Sequence, residues 1–505
     1  MEFISNIKNY GDVWGAPDGA LSLVLAAAGQ AQAPIIFVAR DDARLAAVEA
    51  GLTCIAPQLG RWVLPAWDCL PYDRLSPQGG LAGRRIETLA RLCGGEVPAI
   101  LLTTINSIMQ KLPPAEYFTD SSMVITPAAK HSPASLAEFL SNHAYLRTDT
   151  VRETGEFAIR GGILDVFPPG QSDPVRLDFF GDEIETMRVF DAATQRSTGR
   201  LDRLILRPVA EFMLTETGIS RFRTRYLQAF GASASRDALY ESVSAGRMHP
   251  GIEHWLPLFH DQLATLTDYC SGWPLFLDHE GDAASAARQA QIQDFFDARN
   301  QHDQDDAAPY RPLPPDQLYL NEQQTETVLT GASTRRLFAF AAPETASPEA
   351  SEQVPTDAGG RAGIRLAASG ATSAVADCVA AITSERQGQN RPVVLACSSA
   401  GAASRLTDLL EQQIGAGIVQ AVSSLSEVKK AGLYITQWPL ETGFQTDYLL
   451  VFAEPDIFGQ RLSRPQSKRG RGDDFLREVS ALETGDLVVH AEHGIGRYEG
   501  LVIIN

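Results

Sequence analysis

The sequence predicts a multidomain α/β protein. It reads as an α/β module interrupted by an antiparallel β insertion, a second small α/β domain, and the start of a β domain. Three observations carry this. Short apolar runs alternate with helical spacing over roughly the first 115 residues, the pattern of a parallel sheet covered by helices. The texture changes at Val151 to strand-rich sequence with Gly and Pro at the turns. Two segments without apolar periodicity, 341–362 and 457–480, divide the remainder, and 505 residues suffice for several domains.

The elements follow in order. Residues 34–39 (PIIFVA) read as a buried strand, Ile86, Leu89, Ala90 and Cys93 recur at helical spacing, and 100–104 (ILLTT) form a second strand. A helix starts near Ser132 with Pro133 in its first turn and Leu136, Phe139 and Leu140 on one face. The block 155–198 reads as antiparallel hairpins, and the insertion spans 119–208, between module parts 1–118 and 209–340. A helix over 218–230 places Ile219, Phe222, Tyr226 and Phe230 on one face and stops at Gly231. Residues 341–362, rich in Pro, Ala, Ser, Thr and acid, predict a flexible linker. The second α/β domain, 363–456, has strands near 393–395, 433–435 and 448–451. Residues 457–480 predict another linker, basic at Arg461, Arg464, Lys468, Arg469 and Arg471. Residues 481–505 read as strand, turn, strand. Two strands are marginal alone, so the sequence is expected to stop inside a domain.

Composition narrows the function. Lys and Arg number 43 against 62 Asp and Glu, a net charge of −19. A broad basic DNA-binding face is therefore unexpected, although a local basic stretch such as 461–471 remains a candidate. The six cysteines lack any CxxC spacing, which argues against a zinc ribbon or a disulfide framework and for a reducing compartment. The first residues lack a signal-peptide pattern, and no apolar run approaches the ~18 residues of a membrane span. A cytoplasmic location is expected.

Several residue groups could carry chemistry. Gly15 to Ser22 (GAPDGALS) resembles a phosphate-binding loop of pattern GxxxxGK[ST]. Gly15 and Ser22 fit. Ala20 replaces the second glycine, and Leu21 stands where a lysine would neutralise phosphates. The nucleotide site is thus degenerate. Asp278, after the apolar run 275–277, sits where a magnesium ligand would end a strand, with no lysine upstream to give it a nucleotide. His490, Glu492 and His493, and separately His249, His254 and His260, lack the disciplined spacing of a zinc site. No catalytic constellation stands out. In the hairpin block, alternation sets Arg160, Arg176 and Phe180 opposite the apolar face, a composition typical of interface hot spots. The plain alternative puts Phe180 in the core and pairs the arginines with Asp182 or Glu183.

The block GEFAIRGGILDVFPPG…PVRLDFFGDEIETMRVFDAATQRS resembles the second domain of the bacterial transcription-repair coupling factors (the Mfd family) and the related domain of the excision-repair protein UvrB. LPAWDCLPYDRLSPQ, TTINSIMQKLPP, PGIEHWLPLF, RPLPPDQLYL, AEPDIFGQR and GDLVVHAEHGIGRYEGL are similar to the same family, in the same order. The resemblance implies a UvrB-like module, a third domain, and the start of an RNA polymerase-interacting β-barrel. It implies that Arg160, Arg176 and Phe180 bind UvrA. It also implies that Val488, Val489, Tyr498 and Leu501 start the contact with the polymerase β subunit. UvrB carries an intact ATP site and, after its YD…P segment, a long hairpin that handles damaged DNA. Here 72–77 passes within a few residues into the 81–92 helix, so the hairpin is absent. Intact family members continue into an ATP- and magnesium-dependent translocase motor on double-stranded DNA and a C-terminal domain that masks the UvrA face. This sequence lacks both, which predicts no cofactor of its own and an open UvrA site. The competing expectation is a UvrB-like ATP-dependent DNA-handling enzyme, against which Leu21 speaks.

Overall fold

The computed structural model describes residues 12–302 except 128, 310–339 except 332, 351–353, 391–458 except 429–430 and 447–448, 487–490, and 494–497. The chain divides into two compact units, 1–457 and 458–505.

The first unit is built on a parallel sheet in the order Thr334–Arg336, Leu275–Leu277, Ile35–Ala39, Ile100–Thr104, Arg61–Leu64. Every residue of Ile35–Ala39 and Ile100–Thr104 is buried. A parallel strand covered on both faces needs apolar side chains throughout, which is why these segments show no alternation. Ile36 and Val38 enter one core, with Ile86 and Leu89 of helix Gly79–Cys93 and Phe222 and Tyr226 of helix Glu216–Phe230. Ile35, Phe37 and Ala39 enter the other, with helices Leu21–Gln32 and Asp42–Ile55. Two expected helix boundaries are present: Ser132 accepts from Ser135 N at 3.1 Å to start helix Pro133–Asn142, and Gly231 stops helix Glu216–Phe230 at φ 83°, whose start is capped by Thr215 accepting from Gly218 N at 3.2 Å.

Two features lie beyond what the sequence reading held. Ser351–Gln353, inside the predicted linker 341–362, pairs in parallel with Asp12–Trp14. That pair joins the main sheet through a Val13–Leu337 bridge, with Phe338 N donating to Val13 O at 2.8 Å. Such pairing uses backbone groups alone, so composition gave no sign of it. The second concerns how the later α/β domain packs. Its sheet runs Val419–Ala421, Leu433–Gln437, Val393–Cys397, Leu449–Ala453, with Phe444–Thr446 as an antiparallel edge. Val394, Tyr434, Trp438, Phe444 and Val451 lie in the same core as helices Leu21–Gln32 and Asp42–Ile55.

The insertion is closed at its neck, where Met123–Ile125 pairs with Leu204–Leu206. Beyond it stands a six-stranded sheet in the order Ser197–Arg200, Glu183–Phe190, Val175–Phe180, Ile163–Val166, Glu156–Arg160, Leu146–Arg147. The pairs are antiparallel except the last. One face packs Phe157, Leu164, Val175, Leu177 and Ile184 against Leu136 and Leu140 of helix Pro133–Asn142.

In the second unit, Leu487–His490 pairs antiparallel with Gly494–Arg497, as the strand-turn-strand reading expects. The basic segment 461–471 lies outside the described residues, as do Glu492, His493, Tyr498 and Leu501. Among the described residues, no helix is long and apolar enough to cross a membrane.

Candidate functional site

The outer face of the six-stranded sheet gathers the three residues singled out by alternation, in three different states. Phe180 is 81% exposed at the hairpin turn. Arg160 is exposed, and its Nη2 donates to Thr150 Oγ1 at 2.8 Å. Both sit at one end of the sheet, where Phe179 N bonds Gly162 O and glycines 161 and 181 take φ of 61° and 64°. Those turns need the left-handed region, and no atom lies within 4 Å of where a Cβ would stand at either glycine. This end of the face is open.

Arg176 differs. Its Nε and Nη2 donate to the two carboxylate oxygens of Asp165 at 2.7 and 2.8 Å, and its guanidinium lies over the Phe190 ring at 4.7 Å. The fork-to-fork bond to Asp165 raises the Arg176 pKa. Both parts of the plain alternative fail: Phe180 is out of the core, and the partner of Arg176 is Asp165 rather than Asp182 or Glu183. The opposite end of the face is covered, because Ala158 and Phe190 are buried with Val151. The signal for Asp165 was its alternation with Leu164 and Val166. It becomes readable once the register sets Asp165 opposite Arg176.

The degenerate nucleotide loop is filled by protein. Ala20 and Leu21 are each 1% exposed, and Ser22 Oγ donates to Val48 O at 3.4 Å. Gly15 makes the turn at φ 73°. A Cβ on Gly19 would lie 2.5 Å from Phe444 Cδ1, and one on Gly51 would collide with Ser22 Oγ beside Trp438. Asp278 accepts Arg44 Nε at 3.1 Å and Nη2 at 3.2 Å, while Arg44 reaches Asp18 at 2.8 Å. Burial alone would lower the Arg44 pKa, but Asp278 and Asp18 outweigh it and raise it. These residues do not fit a nucleoside triphosphate with magnesium. The lysine position is apolar and buried, the loop is roofed by Phe444, and both Asp278 oxygens are taken.

His254 and His260 are core residues. His254 is 2% exposed between Trp67 and Tyr72, and burial lowers its pKa to about 3. His260 Nε2 bonds the Glu211 carbonyl at 2.7 Å, and His249 Nδ1 bonds Pro250 O. Among the described residues, no group of three or more His, Cys, Asp or Glu could hold a metal. Cys54, Cys270 and Cys397 are buried, and burial pushes Cys270 and Cys397 up to about 12, so they serve as small apolar side chains.

Comparison with known proteins agrees with this geometry. The family model "UvrB interaction domain" matches residues 123–212, the closed insertion, and the model "CarD-like/TRCF RID domain" matches 482–505. A transcription-repair-coupling factor of Haemophilus influenzae is 30% identical over 453 residues, covering 88% of this chain and 38% of that protein. One of Escherichia coli is 29% identical over 515 residues, covering 98% and 42%. One of Mycobacterium bovis is 29% identical over 520 residues, covering 96% and 40%. The chain therefore belongs to the transcription-repair-coupling factor family and spans about two fifths of the length of the curated relatives it matches.

Proposed function

We propose that this chain is the adaptor part of transcription-coupled nucleotide excision repair, recruiting UvrA to RNA polymerase stalled at DNA damage. The observation that carries the reading is Phe180, 81% exposed at the same open end as Arg160 of a sheet matched to a UvrB interaction domain. A large exposed aromatic and an exposed arginine at the same open end of a sheet have the composition of a hot spot. Arg160 supplies free donors to carboxylates of UvrA, Phe180 supplies the apolar anchor, and Arg176 presents a guanidinium already fixed by Asp165.

In this reading the α/β part is a UvrB-like module that has given up nucleotide chemistry. The chain itself needs no cofactor. ATP and magnesium serve the DNA-translocating motor of the intact family member, which also makes the main contact with double-stranded DNA. The strand Leu487–His490, with Val488 and Val489, begins the surface for the polymerase β subunit, completed by Tyr498, Leu501 and more of the barrel. The place of action is the cytoplasm.

The test is a binding titration of the chain against purified UvrA. Arg160→Ala and Phe180→Ala should each cost about 2 kcal/mol, roughly 30-fold in Kd. Both residues are exposed, so thermal stability should move by less than about 0.5 kcal/mol. Wild-type affinity in both variants would overturn the site.

A further inference from the structure

The outer face carries more cations than the two arginines named from sequence. Arg176 stands directly opposite Arg188, and Arg188 directly opposite Arg200, on three neighbouring antiparallel strands. Residues so opposed point to the same face. The three arginines form a row, one strand spacing of about 4.8 Å at each step. Asp165 continues the row beyond Arg176.

Like charges placed opposite one another repel, and two carboxylates relieve two of the three. Asp165 holds Arg176. Asp178 Oδ2 accepts Arg188 Nη2 at 2.7 Å and Nε at 3.1 Å, and Thr186 Oγ1 at 2.6 Å. Arg200, on the edge strand, is exposed, and its side chain has no hydrogen bond or ion pair among the described residues. Along the row three guanidiniums meet two carboxylates, so Arg200 is left without a counter-charge, while Glu156 and Glu183 lie on the same face outside the row. Acids are placed beyond the row, at the Phe180 turn, in Asp182 and Glu183.

We propose that Arg188 and Arg200 belong to the docking face, and that a carboxylate-bearing strip of the partner runs along the row from Arg176 to the sheet edge. This rests on the reading above, in which the same face docks UvrA. Asp165 and Asp178 are positioning residues that hold two guanidiniums flat before the partner arrives. The same two carboxylates disfavour a nucleic-acid backbone, whose phosphates would meet them along the row.

The experiment measures association and dissociation of UvrA at two salt concentrations. It compares wild type, Arg160→Ala, Arg188→Ala, Arg200→Glu, and Arg236→Ala as an exposed control outside the insertion. Arg200→Glu should weaken binding on the order of 10-fold, mostly through slower association, and flatten the salt dependence. Arg188→Ala should weaken it further, because it leaves the Asp178 carboxylate facing an acidic partner, and adding Asp178→Asn should restore part of the loss. That rescue separates a positioning role from simple destabilisation. Arg236→Ala should bind as wild type. If Arg188→Ala and Arg200→Glu bind normally while Arg160→Ala is weak, this inference fails and the adaptor face stands. If folded wild type does not bind UvrA, the adaptor reading fails and this inference with it. A duplex DNA probe bound by wild type and lost in Arg200→Glu, with UvrA binding unchanged, would make the row a phosphate site and overturn the proposal.

Discussion

At the scale of single residues, solvent exposure and its absence separate groups that look alike in the sequence. Phe179 and Phe180 are adjacent phenylalanines, yet one packs on the insertion core and the other is 81% exposed. Alternation along the strand made that difference readable, as it did for Arg160. Asp165 and Asp178 were not readable as partners, because their roles depend on hairpin register. Glu253 was missed for another reason: nothing in PGIEHW marks an acid for burial. It is 9% exposed, accepts Ser76 Oγ at 2.7 Å, and burial raises its pKa from 4.5 to about 7. A carboxyl that binds its proton more tightly when folded stabilises the fold below about pH 4.5, and that contribution is lost as pH rises toward 7. The difference corresponds to an upper bound on the order of 3 kcal/mol. Denaturant unfolding of wild type and Glu253→Gln from pH 4.5 to 7.5 checks this. Wild type should lose stability with rising pH relative to the variant, and parallel curves would refute the assignment.

At the scale of elements, the loop from Gly15 to Ser22 keeps the outline of a phosphate loop but buries Leu21 where the lysine would stand. The sequence showed the missing lysine. It could not show that Phe444 and Trp438 fill the space, because no local pattern encodes a contact between elements so distant in the chain. The filled loop makes a sharp prediction. Ala20→Gly with Leu21→Lys repairs the motif on paper, yet places an ammonium group in an apolar core. The variant should lose roughly 2–4 kcal/mol of stability and gain no nucleotide binding. Thermal melts and titration with a fluorescent ATP analogue check both halves. Tight binding of the analogue would show that the loop is still open to ligand.

At the scale of the molecule, the described parts of the module and the later α/β domain share one core, so they should unfold together. Trp438 is fully buried there, and Trp438→Ala should cost about 3–5 kcal/mol. Hydrogen exchange should speed up in helix Leu21–Gln32 as well as in strand Leu433–Gln437. Acceleration confined to the mutated domain would mean the two fold independently. The central strands Ile35–Ala39, Ile100–Thr104 and Val393–Cys397 are buried apolar runs and were legible, but their order in the sheets was not. The join between the two was not, because it uses ordinary core residues on faces that a single sequence does not orient.

The roofed loop also has an evolutionary consequence. A chain that regained a lysine at position 21 would first lose stability. It would need Phe444 and Trp438 removed and Arg44 withdrawn from Asp278 before phosphate could enter. Each of those steps is unfavourable alone and useful only in combination. Once a neighbouring domain has settled on such a loop, the packing acts as a ratchet: the surface can keep diversifying, but opening the loop to phosphate is closed to single substitutions.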